Sequence, residues 1–108
     1  INYRLNSVEG VLVTDGDKGC AYCVGENEGH LPAFSVPVTD TTGAGDTFLA
    51  GFIHQVCQNG VASLRDPQTA KKIVTYACAA GALNTIKPGA IASQPTDAEV
   101  QAFLEKQF

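Results

Sequence analysis

No methionine and no tryptophan occur in the 108 residues, and lysine and arginine form no cluster. A translation product begins with methionine, whereas this chain begins at Ile1. Residues upstream are therefore expected to be removed or not shown, and the lack of a signal peptide says nothing about the parent protein. A chain with no basic patch, a net charge of −4 and a pI of about 4.9 is not built for nucleic acid or for an anionic membrane. No apolar run is long enough to span a bilayer. Cys20-x-x-Cys23 has no second Cys-x-x-Cys and no His pair to complete a zinc site. There are no internal repeats and no low-complexity linker.

What is present suits one globular domain, residues 1–108, with an apolar fraction of 44% and a mean hydropathy of +0.02. Cys20 to Val24 reads as a strand, where positions three apart point to opposite faces, so the Cys-x-x-Cys is not expected to act as a pair. Cys57 and Cys78 fall in helical segments among apolar residues and are expected as small buried thiols in a reducing cytosol. His54 reads as a surface or partly buried residue on a helix flank and His30 as part of a polar strand entry, neither as a ligand or base.

The run Asp40-Thr41-Thr42-Gly43-Ala44-Gly45-Asp46-Thr47-Phe48 carries the most information. Gly43, Ala44 and Gly45 have almost no side chain, so a ligand could approach their backbone N–H groups. A helix starting there would aim the positive end of its dipole at the same point, which makes an anion site suited to phosphate. Asp46 then sets a negative charge beside a phosphate site. A general base for a hydroxyl attacking a phosphoryl group would account for that charge. The competing reading is a turn followed by an ordinary helix N-terminus, where Asp, Thr and Gly are all common. No Gly-Lys-Ser/Thr follows, so this is not a Walker loop. Phe48 stands where a dinucleotide fingerprint needs its third glycine.

Around this run the pattern predicts strands over Gly10–Thr14 and Cys20–Val24 and an extended edge segment over His30–Val38, with turns at residues 15–19 and 25–29. A helix is expected from Gly43 or Ala44 to Asn59. Leu49, Ile53, Val56 and Cys57 would form its apolar face, with Phe48 and Phe52 beside them, and Gly60 would end it. Asp66-Pro67 signals a second helix reaching about Leu83, whose later part, Ala77 to Ala82, is nearly all small residues. Those residues would permit close packing against another helix or against a ligand. Residues 84–95 read as a loop. A last helix starts at Thr96 with Glu99 completing a capping box, and Val100, Phe103, Leu104 and Phe108 form its stripe. Strands followed by helices make, taken alone, a layered α+β unit.

The nine-residue run resembles the second signature of the ribokinase-like (PfkB) sugar kinases. In that family the Gly-Ala-Gly backbone is an anion hole over the transferring phosphate, and the Asp that follows is the catalytic base. The resemblance covers nearly the whole chain but only the C-terminal third of such a kinase. It implies part of a three-layer α/β/α sandwich whose remaining sheet, sugar-reading residues and Mg²⁺ ligands lie upstream. Thr14-x-Gly16-x-x-Gly19 resembles the family's turn near the nucleotide phosphates, although any hairpin turn would also favour these glycines. Lys87-Pro88-Gly89-Ala90 with Ser93-x-Pro95 resembles the segment that closes over adenine and a monovalent cation. That resemblance implies K⁺ held by carbonyls near Thr42, Asn84, Lys87 and Gly89 and by side-chain oxygens of Asp40 and Ser93, a donor set for a hard cation. Ordinary helix-stop chemistry explains Pro88 and Gly89 equally well. Cys78 and Gly81 match positions lining the adenine pocket. Gly81-Ala82-Leu83-Asn84-Thr85 leading into Lys87-Pro88-Gly89-Ala90-Ile91 looks most like fructokinases. The implied reaction is transfer from ATP, with Mg²⁺ on its phosphates, to D-fructose. Ribokinase, adenosine kinase and 2-keto-3-deoxygluconate kinase are the alternatives, and a non-catalytic assembly module is the reading from another class. The segment alone is expected to be inactive, to associate with the missing N-terminal part or with a second copy through an open sheet edge, and to be cytoplasmic, with organelle targeting left open.

Overall fold

A computed structural model describes residues 2–5, 10–14, 19–24, 27–34, 36, 37, 39, 43–86 and 95–107. Four strands come first: β1 (Asn2–Leu5), β2 (Gly10–Thr14), β3 (Cys20–Val24) and β4 (Asn27–Leu31). They form an antiparallel meander in the order β1-β2-β3-β4. Three helices follow: α1 (Ala44–Asn59), α2 (Pro67–Asn84) and α3 (Asp97–Gln107), with a short 3-10 helix over Val61–Arg65 between the first two.

The helix ends obey the local chemistry of the sequence. Asp66 caps α2, its carboxylate accepting from the Thr69 backbone N–H at 3.0 Å and the Thr69 hydroxyl at 2.6 Å, with Pro67 in the first turn. Those two bonds hold the Asp66 carboxyl below the usual range. Thr96 and Glu99 form the expected capping box: Glu99 N–H donates to Thr96 Oγ1 at 3.2 Å, and Thr96 N–H donates to Glu99 Oε1 at 3.1 Å.

The sheet departs from expectation in two places. β1 was not anticipated, and its four residues are too few for an alternation to stand out. The third predicted strand lies earlier than expected. Val24 pairs with Asn27, so β4 occupies residues expected as a turn and stops at Leu31, short of the predicted Val38. Polar Asn27-Glu28-Gly29 reads as a turn in isolation. In the fold it is the sheet's edge strand, where the Tyr22 ring covers the space a Cβ at Gly29 would need.

The buried face of α1 also differs. Thr47, Phe48, Gly51 and Phe52 are buried, whereas Ile53 is 50% exposed and Cys57 is exposed. Apolar residues of this helix lie on more than its buried face, so its largest aliphatics do not mark the contact. The closest approach to α2 does: a Cβ at Gly51 would sit 3.2 Å from Ala80 Cβ, and one at Gly81 would sit 3.2 Å from the Ala44 carbonyl oxygen. The small residues of α2 therefore serve helix–helix packing. One side of α2 (Ala70, Ile73, Val74, Ala77) joins α1 and the inward residues Cys20 and Tyr22 of β3 in the main core. The other side (Tyr76, Ala79, Ala80) meets α3 through Val100, with Phe34 edge-on to Phe103 at 5.2 Å.

Candidate active site at the start of α1

Gly43 is the N-cap of α1, and its left-handed backbone (φ 81, ψ −2) turns the chain into the helix. Its carbonyl accepts the Thr47 N–H at 2.9 Å, and no side chain caps the end. Asp46 lies in the first turn, exposed, at the positive end of a 16-residue helix. Gly43, Ala44 and Gly45 are half-buried beside it. The sequence predicted a helix starting at Gly43 or Ala44, and α1 starts there.

Its support was not predicted. Thr47 is buried and donates from Oγ1 to Asn84 Oδ1 at 3.1 Å, and the Asn84 side chain is fully buried. The Thr39 N–H donates to the Thr85 carbonyl at 2.7 Å. The two ends of the segment running from Thr39 to Thr47 are therefore fastened to two consecutive residues at the end of α2. There the helix tightens, with Thr85 N–H bonding the Ala82 carbonyl and Ile86 N–H bonding that of Leu83. Gly81, one turn earlier, lets the Ala44 carbonyl come close. Thr47 carries a sequence signal only in hindsight: a hydroxyl one turn after Gly43, on the face that Phe48 and Gly51 bury.

Of the other predicted site residues, Gly81 and Asn84 meet the first turn of α1. Cys78 lies further back along α2, half-buried against the main core beside Cys20. Thr14 ends β2, paired with Cys20. Gly19 leads into β3 at φ 94, and a Cβ there would overlap the Leu31 carbonyl, so its lack of a side chain has a structural cause. Gly16, Asp40, Thr42, Lys87, Gly89 and Ser93 lie outside the described residues. Among the described residues no His, Cys, Asp or Glu group could hold a metal ion.

A second polar cluster lies where α1, α2 and α3 meet. Tyr76 OH donates to Asp97 Oδ1 at 2.6 Å, and His54 Nε2 lies 3.7 Å from the same oxygen. Burial, then the bond to Asp97 and its charge, push the Tyr76 hydroxyl up to about 12. A cleft of about 200 Å³ opens beside it, with Thr47, Gly51 and Ala80 in its wall. His54 is exposed, as expected.

Known proteins match this chain over most of its length. The family model described as pfkB family carbohydrate kinase matches residues 4–97. Fructokinase-1 of Zea mays is 42% identical over 96 residues, which are 89% of this chain and 29% of that protein. The crystal structure of a fructokinase with bound ATP from Xylella fastidiosa superposes with a TM-score of 0.82 at 30% identity, over 89% of this chain and 32% of that one. A fructokinase double mutant from Vibrio cholerae O395, in fructose-, ADP- and potassium-bound form, superposes with a TM-score of 0.73 at 32% identity, over 86% of this chain and 29% of that one. The chain thus spans about a third of the length of these relatives. Its strands-then-helices unit is part of the ribokinase-like α/β fold, and the chain belongs to the pfkB family of carbohydrate kinases.

Proposed function

We propose that this chain is the C-terminal, nucleotide-binding and base-carrying part of an ATP-dependent sugar kinase, with D-fructose as the acceptor. The observation that supports this most is the placement of Asp46. An exposed carboxylate stands in the first turn of a helix whose entry is bare backbone, clipped at both ends to the end of α2. Asp46 would accept the proton of a primary hydroxyl as its oxygen attacks the γ-phosphorus of ATP. The backbone N–H groups at Gly43, Ala44, Gly45 and Asp46 would stabilise the charge on the phosphoryl oxygens. Fructose is favoured as acceptor because relatives named fructokinase are about 40% identical over nine-tenths of the chain.

Cys78, Gly81 and the Thr14–Gly19 turn would border the nucleotide. Both Cys78 and Gly81 lie on α2, the helix whose end holds Thr39 and Thr47. Mg²⁺ would supply charge neutralisation on the ATP phosphates, with ligands outside this segment. The oxygen-rich set of Asp40, Thr42, Asn84, Lys87, Gly89 and Ser93 suits K⁺, an ion named in the Vibrio fructokinase structure. Sugar-reading residues would come from the rest of the kinase.

The test is Asp46→Asn in the complete kinase. The amide keeps the shape and removes the base, so turnover should fall about 10²–10⁴-fold with ATP binding retained. Turnover near the wild-type rate would refute the assignment. Comparing fructose, ribose and adenosine as acceptors in the same assay separates the sugar from its alternatives.

A further inference from the structure

The first turn of α1 carries Asp46, and no side chain caps it. Helix ends of that kind fray, because their first N–H groups have no partner within the helix. Thr47 supplies the missing constraint. Its backbone N–H donates to the Gly43 carbonyl at 2.9 Å. A helical threonine often turns its hydroxyl to the carbonyl one turn back. Here the Thr47 hydroxyl leaves its own helix and donates to Asn84 Oδ1 of α2 at 3.1 Å. We propose that Thr47 is a positioning residue for phosphoryl transfer: its bond to Asn84 sets the rotation of the first turn of α1, and so the direction in which Asp46 presents its carboxylate. The inference rests on the reading of Asp46 as the general base.

Two contacts divide the work. The close approach of Gly81 to the Ala44 carbonyl and to Phe48 sets how near the two helices lie. Packing on small side chains leaves rotation about the helix axis loosely held, whereas a directional bond from one side chain stops it. Successive residues of a helix stand about 100° apart around its axis. Holding Thr47 on the buried side therefore fixes Asp46 on the exposed side. The anchor is itself rigid. Asn84 is the last residue of α2 and is fully buried. Beside it Thr85 closes the helix, its N–H and its hydroxyl both donating to the Ala82 carbonyl, at 3.1 and 2.6 Å. Without the Thr47 hydroxyl, Asp46 would turn with a fraying end. A general base must lie within hydrogen-bond reach of the proton it takes. Misplacement by about 1 Å can cost about 10²-fold in rate, so losing one of several constraints should cost about tenfold.

In the complete kinase, Thr47→Val should lower kcat about tenfold while KM for ATP and for the sugar stays within about twofold. Thr47→Ser restores the donor and should bring kcat back to within about twofold of the parent. Rates are read well below the melting temperature, with each variant shown to be folded by circular dichroism, so lost stability does not enter. On an Asp46→Asn background the same Thr47→Val change should cost clearly less than on the parent, because a residue acting through Asp46 loses its effect once the base is gone. If Thr47→Val does not fold, Thr47→Ala, a better helix former, carries the same test. If Asp46→Asn turnover is too low to read, the split between kcat and KM and the serine rescue decide. Unchanged kcat, a rise in KM alone, no rescue by serine, or an equal loss on both backgrounds would overturn the proposal. Asp46→Asn with near wild-type turnover would overturn the base reading and this inference with it. An inactive Asp46→Asn beside an unimpaired Thr47→Val would overturn this inference alone.

Discussion

Replacing Thr47 by valine removes one hydroxyl and little else, because the two side chains have nearly the same shape. Thr47 is 5% exposed, and Asn84, whose amide oxygen it serves, is 0% exposed. The hydrogen bond itself contributes about 1 kcal/mol net, and a buried amide oxygen deprived of a donor costs about 1–3 kcal/mol. A destabilisation of about 1–3 kcal/mol is therefore expected. In a chain this size each kcal/mol moves the melting temperature by about 4–8 °C. Urea and thermal denaturation followed by circular dichroism would measure both quantities. Thr47→Ser keeps the donor and loses one methyl group, so it should cost about 0.8 kcal/mol. A double-mutant cycle with Asn84→Ala isolates the pair and should give a coupling of about 1 kcal/mol. Thr47→Val as stable as the parent, or a cycle without coupling, would show that the hydroxyl does not fasten α1 to α2.

Three other outcomes can be checked. Gly51→Leu places a side chain where a Cβ alone would already meet Ala80 Cβ at 3.2 Å, so it should destabilise by about 1–3 kcal/mol in the same denaturation assay. An unfolded tyrosine ionises near pH 10, whereas folded Tyr76 holds its proton up to about 12, so this group's stabilising contribution is full below pH 10 and falls as pH rises through that window. Tyr76→Phe should flatten that alkaline loss in denaturation curves recorded from pH 9 to 12, and an unchanged slope would locate the loss elsewhere. If Lys87, Gly89 and Ser93 help hold a monovalent cation, activity of the complete kinase should rise with K⁺ and much less with Na⁺ or Li⁺. An indifferent rate in an organic-cation buffer would count against it.

The features legible in the sequence are those fixed within a few residues of chain. Asp66-Pro67, Thr96 with Glu99, and the start of α1 behind Gly43 each combine a capping residue with the helix it begins, and all stand where expected. What was not legible depends on partners far along the chain. β4 is a strand because β3 lies beside it and Tyr22 fills the space over Gly29, and nothing within Asn27–Leu31 reports that. The buried face of α1 follows the small residues of α2, so Ile53 is left exposed and Gly51 is buried. Thr47 and Asn84 are 37 positions apart, and a periodicity reading cannot pair them.

The same distinction bears on how the proposed anion site would be held ready. A glycine-rich entry gives access to the backbone, but glycine also has the most conformational freedom to lose, so a loop made of it does not hold its own shape. Here its two flanks are held from outside. Thr39 and Thr47 are fastened to Thr85 and Asn84, and Gly81 leaves room for the Ala44 carbonyl between them. In the proposed kinase the motif would supply the chemistry and the end of α2 the rigidity. Preorganised donors stabilise developing charge without reorganising at the moment of reaction, so in the proposed kinase the rigidity would bear on rate as well as on stability. Changes at Asn84 or Gly81, which carry no charge, should therefore reach Asp46 through the position of the first turn of α1.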